Sequence, residues 1–221
     1  MAAIDTLIVK LRRDLRDTGT SDGYDRAFTN QELSDLVDLA LAEISRIYPK
    51  ELTTIVAIPE SFSGTHTTTI ALPAGFDTIY RIDCLQNQID ETVSPIRQWY
   101  NLVDRIDPSM GEGPAGGWEI HAGNVYLQPN RFTGNTSHLR IMGYGNWTVD
   151  TLDADAEQAV RYFVQSEGMY KLVTDRSMFQ QWQVNPGNSD VTVPAANQIY
   201  TVARGRFERL MGRLRKVKKV G

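Results

Sequence analysis

Cysteine is nearly absent. Cys84 stands alone in 221 residues, so no internal disulfide can form. Stability must come from packing or from neighbouring subunits, and folding in a reducing cytoplasm is expected. Histidine is scarce too. His66, His121 and His138 are widely separated, no His-x-x-x-His pair exists, and Cys84 has no neighbouring ligand, so no metal centre is expected. Cys84 sits in an alternating strand pattern, which suits a buried, inert thiol better than a nucleophile. No apolar run approaches the roughly 18 residues that a membrane span needs. The opening Met-Ala-Ala-Ile-Asp lacks the basic-then-apolar order of a signal peptide.

Signatures of catalysis are also missing. The run Gly111-Glu112-Gly113-Pro114-Ala115-Gly116-Gly117 invites a phosphate-cradle reading, but it lacks the Lys-Ser/Thr ending of a P-loop and carries an acid and a proline. Its spacing is also wrong for a dinucleotide fingerprint. A loop is the expected outcome. Asp104 and Asp107 are explained by a turn at Asp107-Pro108, and Asp153 with Asp155 by the start of a helix. Neither pair makes a general-acid case. The chain is therefore expected to be no enzyme and to need no cofactor.

What is present is an asymmetry of charge. The whole chain carries 23 basic and 27 acidic residues. Residues 204–221 hold Arg204, Arg206, Arg209, Arg213, Arg215, Lys216, Lys218 and Lys219 against one acid, Glu208. The rest of the chain has 15 basic and 26 acidic residues, a net charge of about −11. A basic end on an acidic body implies a docking partner, either a protein surface or nucleic acid. The plain alternative is a solvated helix end, because cations favour helix C-termini.

Periodicity gives the layout. Ile4, Leu7, Ile8, Leu11 and Leu15 lie at helical spacing, with Lys10, Arg12, Arg13, Asp14 and Asp17 on the other face. This helix is expected to stop at Asp17-Thr18-Gly19, with Gly19 as its cap. A polar loop, Thr20 to Phe28, leads to a capping box at Thr29 and Glu32. Leu33, Leu36, Val37, Ala40, Ile44 and Ile47 then mark a second helix ending at Pro49. Strands are expected over Thr53–Ile58, Thr67–Leu72, Thr78–Leu85, Trp118–Ile120, Asn124–Gln128 and His138–Tyr144, with a hairpin turn at His121–Asn124. Gln98 to Ile106 reads as a short helix. Helices return at Asp153, and the last is expected from about Ala195 to Lys216, with Ile199, Ala203, Phe207, Leu210, Leu214 and Val217 inward. The result is an α+β fold: a helical bundle from the N- and C-terminal helices, an inserted β-rich module and an extended basic C-terminal arm. The expected boundaries are 1–50 for the N-terminal helix pair, 51–150 for the β-module, 151–203 for the C-terminal helices packing on that pair, and 204–221 for the arm.

The segments LIVKLRRDLRDTG and FTNQELSDLVDLALAEISRIYP, followed by TTTIALPAGFDTIYRIDCL, resemble the opening helix pair and β-module entry of the head-to-tail adaptor (connector, or head-completion) proteins of tailed double-stranded DNA bacteriophages. The resemblance covers most of the chain as a pattern of organisation. It implies a structural virion protein of the phage neck, assembled in the host cytoplasm and independent of membranes. It implies a ring homo-oligomer, dodecameric as is usual in the family, seated under the portal protein. Such a ring extends the channel for genomic DNA during ejection and offers a platform for a tail-side neck or tail protein. The portal-binding role falls on Arg204, Arg206, Arg209, Arg213, Arg215, Lys216, Lys218 and Lys219. The tail-side role falls on the loop Gly111, Glu112, Gly113, Pro114, Gly116 and Gly117. Trp99, Tyr100, Trp118, Trp147 and Trp182 are expected at subunit contacts, where aromatic residues are enriched. The alternative function is a DNA-binding or other interaction module that lays its basic C-terminal helix on phosphate.

Overall fold

Capping chemistry decides where the helices begin. The computed structural model describes residues 3–20, 26–57, 68–88, 96–104, 117–127, 136–185 and 187–218. Glu32 N donates to Thr29 Oγ1 at 3.1 Å and Thr29 N donates to Glu32 Oε2 at 2.8 Å, the reciprocal pair of a capping box. It opens α2 (Asn30–Ile47), which follows α1 (Ala3–Asp14). Asp153 Oδ1 accepts from Ala156 N at 2.7 Å and opens α3 (Ala154–Thr174). Asp175 closes α3 and starts α4 (Arg176–Gln183) by accepting from Ser177 N at 2.8 Å and Met178 N at 3.2 Å. The hydroxyl of Ser177 and these amides hold the Asp175 carboxyl below its ordinary pKa. Periodicity assigns no element to the stretch that forms α4. A short 3₁₀ turn (Val149–Thr151) precedes α3, and α5 (Val193–Lys218) ends the series.

The chain is α+β and divides into two compact units, Met1–Pro49 with Asn146–Gly221, and Lys50–Gly145. In the first unit, one apolar cluster joins Leu7 and Leu11 of α1, Leu36 and Ile44 of α2, Val160 and Val164 of α3, Trp182 of α4 and Phe207 and Leu214 of α5. Non-directional burial of this kind is what gives amphipathic helices their stability, since isolated helices are marginal in water. Trp147 joins the same core. Its indole Nε1 donates to Tyr48 O at 2.6 Å, and its ring stacks on Tyr48 at 5.9 Å.

The end of α1 departs from expectation. Arg16, not Gly19, takes the left-handed conformation, at φ 54°. Asp17 N donates to Arg12 O at 2.8 Å and Arg16 N to Arg13 O at 3.2 Å, the two bonds of a Schellman motif. This turn carries Asp17 inward to Arg12. Arg12 was expected on the polar face, yet both residues are buried. Arg12 Nη1 donates to Asp17 Oδ2 at 2.8 Å and Phe28 O at 3.0 Å, and Nη2 donates to Asn30 Oδ1 at 2.7 Å. Asp17 also accepts from Ala27 N at 2.8 Å and Phe28 N at 3.3 Å. Burial pushes the Asp17 carboxyl above its ordinary pKa, against the pull of the Ala27 amide and the Arg12 guanidinium. The far end of the expected polar loop is thus core, because Ala27 and Phe28 are buried. A non-glycine residue in the left-handed region is strained. Arg16→Gly is expected to raise stability by about 0.5–1 kcal/mol, read as a higher urea midpoint at unchanged slope.

The second unit holds β1 (Lys50–Ala57), β2 (Thr68–Ala71), β3 (Thr78–Gln88), β4 (Ile96–Asp104), β5 (Gly117–His121), β6 (Asn124–Leu127) and β7 (Thr136–Gly145). The strand order is β1-β7-β3-β4-β5-β6-β2, antiparallel except for the short β4–β5 pair. Over Gln98–Asp104 the expected helix is instead part of β4, and Arg105 and Ile106 lie outside the described residues. This strand pairs with β3 from Ile82↔Leu102 to Gln88↔Ile96, so sheet pairing overrides a helical spacing whose residues (Ile, Trp, Tyr, Val) also favour strands. The hairpin turn at His121–Asn124 forms with Ala122 at φ 48° and Gly123 at φ 75°, the two positive values of a type I′ turn.

Strict alternation fails in β3 because Ile79 pairs with Gly143 while Arg81 pairs with Met142, leaving Tyr80 as the extra residue of a bulge. Ile79 and Ile82 therefore both reach the core beside Leu139, Ile141 and Trp118. Asp83 is buried and accepts from Arg81 Nε at 2.7 Å and Arg140 Nε at 3.0 Å. At the bulge, a Cβ on Gly143 would overlap Thr78 O and lie 2.7 Å from Phe76 Cδ1. Gly143→Ala is expected to cost about 1–3 kcal/mol as overpacking, measured by thermal unfolding.

Candidate functional site on the C-terminal helix

The charge asymmetry leads to α5. Pro194 sits in the first turn, where its missing N–H is harmless. Ala195 N donates to Thr192 Oγ1 at 3.4 Å and Ala196 N to Thr192 O at 3.0 Å. From there the helix runs without a break through the segment expected as an arm, to Lys218. Ala203, Phe207, Leu210, Met211 and Leu214 are buried, and Phe207 meets Phe163 of α3 edge-on at 5.4 Å. Residues 203–214 are therefore both basic on one side and core on the other.

The expected portal-binding residues fall into different environments. Arg204 is half-buried, bonded to Glu208 Oε1 at 3.0 Å and Glu167 Oε1 at 3.4 Å, with its guanidinium 5.7 Å from the Phe207 ring centroid. Arg213 reaches Asp155 Oδ1 at 3.2 Å. Exposed pairs like these contribute under about 1 kcal/mol, yet they occupy two of the eight cations. Arg206 is exposed and lies 5.9 Å over the Tyr162 ring. Arg209 is exposed and donates Nε to Gly205 O at 3.1 Å. Arg215 is exposed. The side chains of Lys216 and Lys218, and all of Lys219, lie outside the described residues, as do Gly111, Glu112, Gly113, Pro114 and Gly116 of the expected tail-side loop. Gly117 opens β5.

Arg206, Arg209, Leu210 and Arg213 line an open groove of about 330 Å³ with Gln158 and Tyr162 of α3. Gln158 Nε2 donates to Tyr162 Oη at 2.8 Å, which fixes the polar wall. The groove can take anionic groups by bidentate guanidinium bonds. Gln158 and Tyr162 are not among the site residues expected from the sequence. Their spacing of four residues on a helix facing α5 was the available signal.

The tryptophans change role. Trp118, Trp147 and Trp182 were expected at subunit contacts but are buried within the chain, so they are spent on its own cores. Trp99 and Tyr100 have side chains outside the described set. Among the described residues, no group of three His, Cys, Asp or Glu is placed to hold a metal ion, and no helix is long and apolar enough to cross a membrane. No protein-family model matches the chain, and no curated protein matches it.

Proposed function

We propose that the chain is a head-to-tail adaptor of a tailed phage. It forms a dodecameric ring under the portal protein, extends the DNA channel and carries the tail-side neck or tail protein. The finer architecture of this reading is a helical bundle bearing an inserted β-module, with the basic end of α5 as a docking arm. The observation that carries it is the segregation of charge. Eight of 23 basic residues lie in the last 18 positions of a chain whose remainder is acidic, and the exposed cations project from a helix anchored by its own core residues. An anchored helix holds those charges in register, and repetition around a ring multiplies a weak contact through multivalency.

The test is capture of the chain by portal rings from the same phage. Deletion of the whole segment 204–221 would remove Phe207, Leu210, Met211 and Leu214 from the core, so the informative variant ends at Arg215. The full chain is expected to co-sediment with portal, and the variant ending at Arg215 to lose at least tenfold in affinity. Equal capture of both removes the docking role of the C-terminal end. A steep salt dependence of duplex binding by the free chain, with no portal capture, would assign the charge to phosphate instead.

A further inference from the structure

We propose that the outer face of α5 is a close-packed docking surface for α2 of a second copy of this chain. The inference rests on the ring in the adaptor reading and names the faces that would close it. Two glycines carry the first observation. Gly205 and Gly212 lie in the interior of α5, seven residues apart and so on one face, and a Cβ added to either would meet nothing within 4 Å. Glycine is among the poorest helix formers. Packing within the described chain gives no reason for either. What two bare positions do provide is an approach for another helix backbone, flanking Arg209.

Charge identifies the occupant. Around those glycines α5 presents Arg206, Arg209 and Arg213 and the exposed Val202, while the one acid on this face, Glu208, is paired with Arg204 at 3.0 Å. Among the described residues Arg206 and Arg209 have no carboxylate partner. The outer face of α2 is its complement. Asp35, Asp38, Leu39 and Ala42 are exposed at i, i+3, i+4 and i+7, and Leu39 is 59% exposed. Among the described residues Asp35 accepts from Gln31 at 2.8 Å, and neither aspartate has a cationic partner there. Two acids beside one bare leucine thus match a row of arginines beside one bare valine. A contact between two different faces of the same chain is heterologous, and repeated heterologous contacts generate rings when the rotation closes.

Charge swapping with sedimentation velocity tests this on the full-length protein. The wild type is expected to self-associate with rising concentration. Arg206→Glu with Arg209→Glu, or Asp35→Arg with Asp38→Arg, should each weaken association at least tenfold, and all four in one chain should restore it to within a few-fold of wild type. Gly205→Ala and Gly212→Ala should each raise Tm by roughly 2–4 °C, because the helix gains a better former. Both should nonetheless weaken association at least tenfold, a combination that a merely structural role would not produce. A wild type that stays monomeric at every concentration, or reversals that leave association unchanged, overturns the proposal. Loss of duplex DNA binding in the arginine variant with association intact also overturns it. Portal capture by the same variants separates the two readings. Association through this face without portal capture leaves the interface standing and sinks the adaptor. Portal capture with association untouched by the reversals does the opposite.

Discussion

Asp17→Ala is expected to destabilise the helical unit by about 3–5 kcal/mol, read from urea unfolding followed by far-ultraviolet circular dichroism. Asp17 has no solvent exposure, and Arg12 is almost as deeply placed. Removing the carboxylate takes from the buried Arg12 guanidinium the acceptor that Nη1 meets at 2.8 Å. It also strands the Ala27 and Phe28 amides. Burial already outweighs the partners in setting the Asp17 pKa, which marks the ion pair as a weak net contributor once both charges are removed. Arg12→Met combined with Asp17→Ala should therefore recover part of the loss, leaving about 1–3 kcal/mol for the stranded amides. A double variant as unstable as the single one would show that the bonds the aspartate accepts from the Ala27 and Phe28 amides, rather than its pairing with Arg12, set the cost.

Trp182→Ala is the second large effect, about 3–5 kcal/mol. The indole is fully buried in the helical core, packs on Phe179 at 5.8 Å and donates Nε1 to Leu15 O at 2.8 Å. Alanine leaves a cavity and removes the donor from a carbonyl next to the left-handed turn. Trp182→Phe keeps most of the volume and loses the N–H, so it should cost about 1–3 kcal/mol. If the two substitutions cost the same, the hydrogen bond rather than the packing is what Trp182 supplies. Either substitution also tests the reassignment of Trp182 from subunit contact to core.

Local rules carried much of the fold. The Thr29–Glu32 capping box, the Asp153 cap and the turn before Asn124 each rest on residues a few positions apart, and each is where the sequence put it. What failed depends on partners distant in the chain. Arg12 reads as a surface cation until Phe28 and Asn30 are brought to it. Gln98–Asp104 reads as part of a helix until β3 lies alongside. The bulge at Tyr80 is invisible to a period of two.

The candidate site divides in the same way. The density of charge in 204–221 is a matter of composition and was legible. That Arg204 and Arg213 are engaged by Glu167 and Asp155 of α3 was not, because those acids lie 37 and 58 residues away. Nor was the double duty of α5. Phe207 and Leu210 were visible as an apolar stripe, but the same turns carry Arg206 and Arg209 outward, so the basic face and the core cannot be deleted separately.

Side-chain imaging of the virion neck tests the adaptor reading most directly. The expected result is a closed ring of this chain beneath the portal, with the residues from Arg215 onward pressed against portal protein in every subunit. A neck that lacks the chain, or one in which those residues touch only solvent, contradicts the account.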